Sequence, residues 1–403
     1  MLNKNNEREL AYLVRVDGIS PMDADRLECA HVGGWNCVVG KGEFKPGDPA
    51  VYFEIDSKLP EVRPFVSMSF LASKKFKIKS QKIRGVISQG LLVPVSFFDW
   101  VDNLDGNIWI PDENRFRHWD DETRFLTEKL GVTYAVAEDN VRKARTPDRS
   151  KELARRYPKF FSNPIIRRLM KFDWFRKYIV YVFPTPRKKN GWPAWVAKTD
   201  EERIENMPWI LEDKHSWIAT EKIDGTSSTF TMKRKKFGKF EFYVCSRNVC
   251  FDTPDKQCYY DSNVYWEMAN KYDIKNVLQS ILKDHKEMKW VTIQGETFGA
   301  SIQKNNYDMA DRDLRIFNLV TSNKGRWNTV EMSDFLAKYN VPCVPILDTN
   351  FTLPNTIEEL RNYVNSQPST INGKLKEGIV FRSQDGIQSF KCVSPEYLLQ
   401  YHI

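Results

Sequence analysis

Closely spaced cysteine pairs are missing from this sequence. Its seven cysteines, Cys29, Cys37, Cys245, Cys250, Cys258, Cys343 and Cys392, are odd in number and never form a C-x-x-C pair. That excludes a zinc ribbon, argues against a disulfide framework and points to a reducing compartment. Long apolar runs are missing too: the longest candidate, Ile179 to Phe183, is five residues, far short of the roughly 18 that a membrane-crossing helix needs. The opening MLNKNNEREL is polar and lacks the apolar core of a secretory signal. No internal repeat or low-complexity tract stands out. These absences predict a soluble, intracellular, cytoplasmic protein.

What is present is length, aromatic side chains and an uneven charge. A chain of 403 residues is too long for one ordinary core and predicts two or three domains. The 12 Trp, 16 Tyr and 25 Phe suit strand-rich domains or surfaces that stack on flat ligands. Net charge is +8, yet Val141–Asn190 alone holds sixteen Lys/Arg against three Asp/Glu, a local +13 that leaves the remainder at 8 − 13 = −5. Such a block is the electrostatic footprint of a polyanion, nucleic acid or an anionic membrane surface.

Residues 8–98 read as short strands parted by turns: Glu9–Val16, Asp25–His31, Asn36–Val39, Pro49–Ile55, Lys75–Lys79 and Gly90–Val93. Strands at this spacing without a long helix predict a small barrel. In Lys75–Lys79 the lysines alternate with Phe76 and Ile78, which predicts one basic and one buried face. In the basic segment, Asn163 and Pro164 are suited to start a helix, with apolar residues near helical spacing and Arg167 and Arg168 among them. From about 191 onward the pattern is mixed. Strand-like runs include Trp217–Thr220, Ser228–Lys233, Phe240–Cys245, Val291–Gly295, Leu314–Val320, Gly378–Arg382 and Ile387–Cys392. Helical runs include Ser262–Lys271, Val277–Leu282 and Thr329–Lys338. The turn Lys236–Lys239 predicts a hairpin.

Six short elements occur in a fixed order in this last region: Lys222-Ile223-Asp224-Gly225, Ser246-Arg247-Asn248, Gly295-Glu296-Thr297-Phe298-Gly299, Phe317-Asn318-Leu319, Glu377-Gly378-Ile379-Val380-Phe381-Arg382 and Ser389-Phe390-Lys391. A lysine at a strand end ahead of a glycine turn can project its amine into a cleft, although each fragment alone is weak. As an ordered set, spanning Trp195 to Tyr401, they resemble the nucleotidyltransferase motifs of the superfamily that holds DNA ligases, RNA ligases and mRNA capping enzymes. In DNA ligases and capping enzymes an OB barrel follows the last lysine motif, whereas here only ten residues separate Cys392 from Ile403. The chain instead resembles ATP-dependent RNA ligases with an OB domain at the front. Gly40–Pro60 and Lys82–Leu92 are similar to that module, Ser88-Gln89-Gly90-Leu91-Leu92 also to tRNA-binding OB domains, and Lys198–Arg203 to the lead-in of the transferase domain.

The resemblance implies an α+β chain: an OB-fold β-barrel (residues 1–110), a basic, partly helical connector (111–190) and a mixed α/β adenylyltransferase domain built on antiparallel sheets (191–403). It implies that Lys222 is the nucleophile that takes AMP from ATP and that Lys391 contacts the α-phosphate. Of the K-x-K pattern common at this point, only Lys391 is present, Val393 standing at the second position. Glu377 would help hold Mg²⁺ or Mn²⁺, Glu296 would meet the ribose, Arg247 a ribose or phosphate, and Phe317 would stack on adenine. Gly225 and Asp224 would shape the turn, Asp224 with a further option toward the metal, and Glu221 would contact the nucleotide or pair with a neighbouring cation. Nearby cations would favour the neutral, nucleophilic form of Lys222, whose ordinary pKa of about 10.4 keeps it protonated. Lys75, Lys77, Lys79, Arg84, Arg167 and Arg168 are the expected nucleic-acid contacts. The expected activity is an RNA ligase sealing 3′-hydroxyl and 5′-phosphate ends of a nicked duplex, as a monomer and without a membrane, although a basic amphipathic helix also suits a membrane surface. A DNA ligase, a GTP-using capping enzyme and a non-catalytic RNA-binding protein on the same scaffold are the alternatives.

Overall fold

The computed structural model describes residues 1–3, 7–62, 65–98, 125–135, 192–251 and 262–401, with a few single positions between. The expected helix starting at Asn163 and Pro164, and with it Arg167 and Arg168, lies outside the described residues.

The first unit is built from β1 (Ala11–Arg15), β2 (Gly18–Pro21), β3 (Leu27–Val32), β4 (Trp35–Gly40), β5 (Pro49–Phe53), β6 (Ser57–Lys58), β7 (Gln81–Ile83), β8 (Val86–Ser88) and β9 (Leu91–Pro94), with a short helix α1 (Ser69–Ala72). Strand β5 lies between β1 and β9, antiparallel to both, while β2–β3–β4 form a meander and β7–β8 a hairpin. Side chains alternate across a strand, so β5 feeds two cores. Val51 and Phe53 enter one with Phe65 and Phe98, and Ala50 and Tyr52 enter the other with Trp35 and Tyr12. Gly90 has φ 107, and a Cβ there would collide with the Tyr52 ring, whose hydroxyl donates to the Gln89 carbonyl at 2.9 Å. This packing is why the S-Q-G-L-L turn needs its glycine.

Two sequence expectations change here. Lys75–Lys79 is not a strand. Lys75 and Phe76 both take left-handed φ values, 52 and 57, as the chain leaves α1, and the Phe76 amide donates to Leu71. Phe76 and Ile78 are buried as expected, but Lys77 is buried with them while Lys75 and Lys79 are exposed, so the three lysines share no face. Residues 125–135, placed by the sequence in the connector, pack into the first core through Leu126, Leu130 and Val132, and β10 (Thr133–Tyr134) pairs with β6.

The second unit holds two sheets. One has the order β11–β21–β20–β12–β19, from β11 (Glu202–Arg203), β12 (Ser216–Lys222), β19 (Ile346–Thr352), β20 (Gly378–Ser383) and β21 (Ser389–Val393). The other is fully antiparallel, β15–β14–β13–β16–β17–β18. Its strands are β13 (Thr226–Arg234), β14 (Phe240–Cys245), β15 (Cys250–Phe251), β16 (Trp290–Gly299), β17 (Arg312–Thr321) and β18 (Gly325–Arg326). Helices α2 (Val264–Lys271), α3 (Ile274–Asp284) and α4 (Thr329–Ala337) cover one face of the larger sheet. Ile274, Leu278, Ile281 and Leu282 recur on the helical period and are all buried, which is what docks α3. Helix α5 (Ile357–Ser366) packs on the smaller sheet through Leu360 and Val364, and α6 (Pro395–Tyr401) follows β21. Among the described residues no helix is long and apolar enough to cross a membrane.

The units meet along a polar seam. The Asn206 carbonyl oxygen accepts from Trp35 Nε1 at 2.8 Å and from the Tyr12 hydroxyl at 3.2 Å, while its amide donates to the buried Glu54 at 3.0 Å. Arg361 on α5 donates to Glu205 at 2.8 Å and to Gln89 and the Gly34 carbonyl at 3.1 Å. Gly34 lies so close to Glu205 and Ile357 that any side chain would collide with both.

Candidate active site

The chain changes sheets at Lys222. Strand β12 ends on this lysine in the smaller sheet, and Thr226, three residues past Ile223, begins β13 in the larger one. The K-x-D-G turn therefore bridges the cleft between them. Gly225 permits the bridge: a Cβ there would run into the Thr297 carbonyl oxygen of β16. Its own carbonyl accepts from Gln303 at 3.0 Å.

Around the Lys222 amine the fold gathers carboxylates. Glu377, just ahead of β20, accepts from Nζ at 2.6 Å. Burial pulls the Lys222 pKa down, but Glu377, Glu296 and Asp224 outweigh it, so the ammonium form is favoured and the pKa lies above its ordinary value. Of the cations expected to favour the neutral amine, Lys391 is outweighed by these acids in the protein alone. Burial and the nearby Glu377 and Asp224 push the Glu296 carboxyl up to about 8, despite Lys222. Lys391 on β21 faces the same cleft, and burial together with Arg203 and Arg8 holds its amine down to about 7.

Asp224 is held from three sides. Its amide donates to the Tyr307 hydroxyl at 2.8 Å, and its Oδ2 accepts from Asn306 at 2.7 Å and from the Tyr397 hydroxyl of α6 at 2.9 Å. Glu221 is buried: it accepts from Ser369 Oγ at 2.5 Å, Thr370 Oγ1 at 2.6 Å and the Thr370 amide at 2.9 Å, which ties down the loop ahead of Lys376, and its charge acts on the Lys376 amine. Arg247 donates to Asp200 and lies over the Tyr134 ring of the first unit at 5.6 Å. Phe317, half-buried on β17, packs beside Ile223, Phe298, Tyr307 and Val344, next to the lysine turn. Arg84 is exposed in the β7–β8 turn, outside this cleft.

The structure thus brings Lys222, Asp224, Gly225, Glu296, Phe317, Glu377 and Lys391 together, with Arg247 reaching Glu296 electrostatically. Sequence reading missed Tyr307, Asn306 and Tyr397 around Asp224, and Arg8 and Arg203 beside Lys391. Of these only Arg203 had a signal, in the K-T-D-E-E-R segment. The crowded acids suit a divalent cation. Among the described residues, however, no three His, Cys, Asp or Glu side chains converge closely enough to hold one alone, so water and phosphate oxygens would complete its shell.

A lysine flanked by carboxylates where the chain crosses between two sheets, with a second lysine and a half-buried aromatic ring, is the arrangement that the nucleotidyltransferase motifs led one to expect. A family profile for RNA ligases matches residues 215–393, and one for an OB-fold domain matches residues 10–95. The chain thus carries an RNA ligase family domain with an OB-fold domain ahead of it. Its fold is similar to that of Naegleria gruberi RNA ligase with pyrophosphate, at TM-score 0.69 and 26% identity over 98% of this chain and 99% of that one. It is also similar to a lysine-to-alanine mutant of that enzyme with ATP and Mn (0.68, 26%, 98% and 98%) and to a glutamate-to-alanine mutant with AMP and Mn (0.68, 26%, 98% and 99%). No curated protein matches the chain in sequence.

Proposed function

We propose that this RNA ligase joins an RNA 3′-hydroxyl to a 5′-phosphate using ATP, with Lys222 as the residue that carries AMP. The observation behind this reading is the Lys222 amine, 2.6 Å from Glu377 at the crossing between the sheets, with Glu296, Asp224 and Lys391 around it. In the first step the deprotonated Nζ attacks the α-phosphorus of ATP. A P–N bond forms and pyrophosphate leaves with the electrons of the broken P–O bond. In the second, an oxygen of the RNA 5′-phosphate displaces the lysine and takes the AMP. In the third, the RNA 3′-hydroxyl attacks that 5′-phosphate and AMP departs. All three are phosphoryl transfers, in which positioning and charge neutralisation supply most of the acceleration.

The residues divide this work. Lys391 meets the α-phosphate, Phe317 lies against adenine, Glu296 meets the ribose and Arg247 a ribose or phosphate oxygen. Glu221 acts through the Ser369–Thr370 loop, and Asp224 with Gly225 fixes the nucleophile's turn. Glu377 would hold Mg²⁺ or Mn²⁺ through one carboxylate, and the ion would offset charge on the phosphates and on the acids around Lys222. The carboxylates that keep Lys222 protonated in the resting protein also favour a cationic amine over a free one, so proton loss must accompany substrate arrival. We read residues 1–110 as the OB-fold domain, extended by the packed 125–135 segment, 111–190 as the connector and 191–403 as the transferase. Lys75, Lys79 and Arg84 are the barrel's exposed candidates for phosphate contact. A nicked duplex, a monomeric enzyme and an intracellular site, the last supported by seven free thiols, complete the reading.

Intact-mass measurement after incubation with ATP and Mg²⁺ or Mn²⁺ should find one added adenylate. Lys222→Ala should bind RNA yet never gain that mass. A folded wild-type protein that stays unmodified under both ions would end the proposal.

A further inference from the structure

The far end of β13 carries a feature the reaction does not use. Strands β13 and β14 join through Lys236-Phe237-Gly238, and Phe237 is 96% exposed, more than any other large apolar side chain among the described residues. Its φ is 62 and that of Gly238 is 68. Turns of this hand normally take Asn, Asp or Gly, and a bulky residue in the left-handed region is an outlier. Phe237 therefore combines an unfavourable backbone with a ring in water, and neither helps the fold. Strained residues that packing does not explain mark functional positions.

The ring sits in a concentration of positive charge. Residues 233–241 hold five Lys/Arg and one acid, Glu241, which pairs with Lys235 at 2.6 Å. Lys235, Lys236 and Lys239 are exposed, and Lys233 lies 4.3 Å from the centre of the Trp195 ring. Strand register relates this tip to the active site. Ser227 pairs with Glu296, Thr229 with Gln294 and Thr231 with Thr292, so the face carrying Glu296 continues along β13 to Lys233. The opposite face, with Phe230 and Met232, is the one the helices cover. From Thr226 to Arg234 is nine strand residues, roughly 26 Å at about 3.3 Å per step.

We propose that this hairpin tip is a second RNA contact, where Phe237 stacks on an unpaired base and Lys236 and Lys239 hold the phosphates beside it. Exposed aromatic rings among cations are how single-stranded RNA is gripped without sequence preference. The inference rests on the ligase reading for its partner, but its test does not depend on catalysis.

Phe237→Asn removes the ring and places a residue suited to left-handed φ, so the variant should melt at the same temperature as wild type or higher. Lysyl-adenylate formation should be unchanged. Binding by fluorescence anisotropy to an RNA with a single-stranded arm long enough to reach the tip should weaken at least about fivefold. An RNA too short to reach it should bind both proteins alike. Lys236→Ser with Lys239→Ser should lower the slope of log affinity against log salt by about 1.4 for the long RNA. Long-RNA affinities within twofold of wild type in both variants would overturn the proposal. So would equal losses on long and short RNA, or weaker binding accompanied by a lower melting temperature. A wild-type protein that binds the long RNA in this tip-dependent way but never takes up adenylate would instead sink the ligase reading and leave the tip contact standing.

Discussion

Lys391 offers a quantitative handle on nucleotide binding. Its amine is held down to about 7 by burial and by Arg203 and Arg8, so above that pH it is mostly neutral in the protein alone. A bound triphosphate brings negative charge against it and favours the ammonium form, which raises its pKa in the complex. Binding then takes up a proton wherever the pH exceeds about 7, and affinity falls as pH rises, by up to a decade per unit. If the bound amine stays protonated through pH 9, affinity drops about fiftyfold between pH 7 and 9, and at pH 8 close to 0.9 proton enters per nucleotide. Titration calorimetry with α,β-methylene ATP, which cannot transfer AMP to Lys222, in buffers of different ionisation enthalpy reads this uptake directly. Lys391→Arg keeps the charge at every pH, and the difference between the two proteins isolates this amine from Glu296. Equal uptake in wild type and Lys391→Arg, or none in wild type at pH 8, would refute the reasoning.

Two further outcomes follow from contacts around the cleft. Tyr397→Phe deletes the 2.9 Å hydrogen bond to Asp224 and the 3.1 Å one that its hydroxyl accepts from Asn306, while Asn306 keeps its own bond to Asp224. Loss of a bond to a charged group should cost about 1.5–3 kcal/mol in denaturant unfolding, and single-turnover adenylate formation should slow with little change in the ATP concentration it needs. An unchanged rate would remove Tyr397 from the positioning of that turn. Arg361→Ala leaves Glu205, fully buried, without its cation, and one-sided removal of a buried pair costs about 3–5 kcal/mol. A urea-unfolding loss under about 1 kcal/mol would show that the seam relies on other contacts.

The motif order made the transferase legible because its residues stand at strand ends beside glycines whose need is local. Gly225 must clear the Thr297 carbonyl, and Phe240–Cys245 is rich enough in aromatic and β-branched residues to be read to its last residue. Other elements left weaker traces. Strand β19, with Asp348, Thr349 and Asn350 in its middle, lies at a sheet edge, is largely unburied and lacks the two-residue alternation. Helix α5 carries a start signal of its own, with Thr356 and Glu359 forming a capping box and Leu360 and Val364 one turn apart. At Lys75–Lys79 two consecutive left-handed residues bury Phe76 and Ile78 and so imitate a strand's pattern. The partners of Asp224 were beyond any local reading, since Tyr397 lies 173 residues away and nothing in its own neighbourhood marks it.

At the seam Glu54 accepts from Asn206 and also from Arg8 Nε at 2.9 Å, and Arg8 is one of the cations that hold Lys391 down. Proton affinity at Lys391 is therefore a joint property of both halves of the chain. A transferase half produced by itself would keep every motif and still possess a different Lys391, more basic and less responsive near neutrality. The barrel belongs to the chemistry as a source of field, whatever RNA it touches.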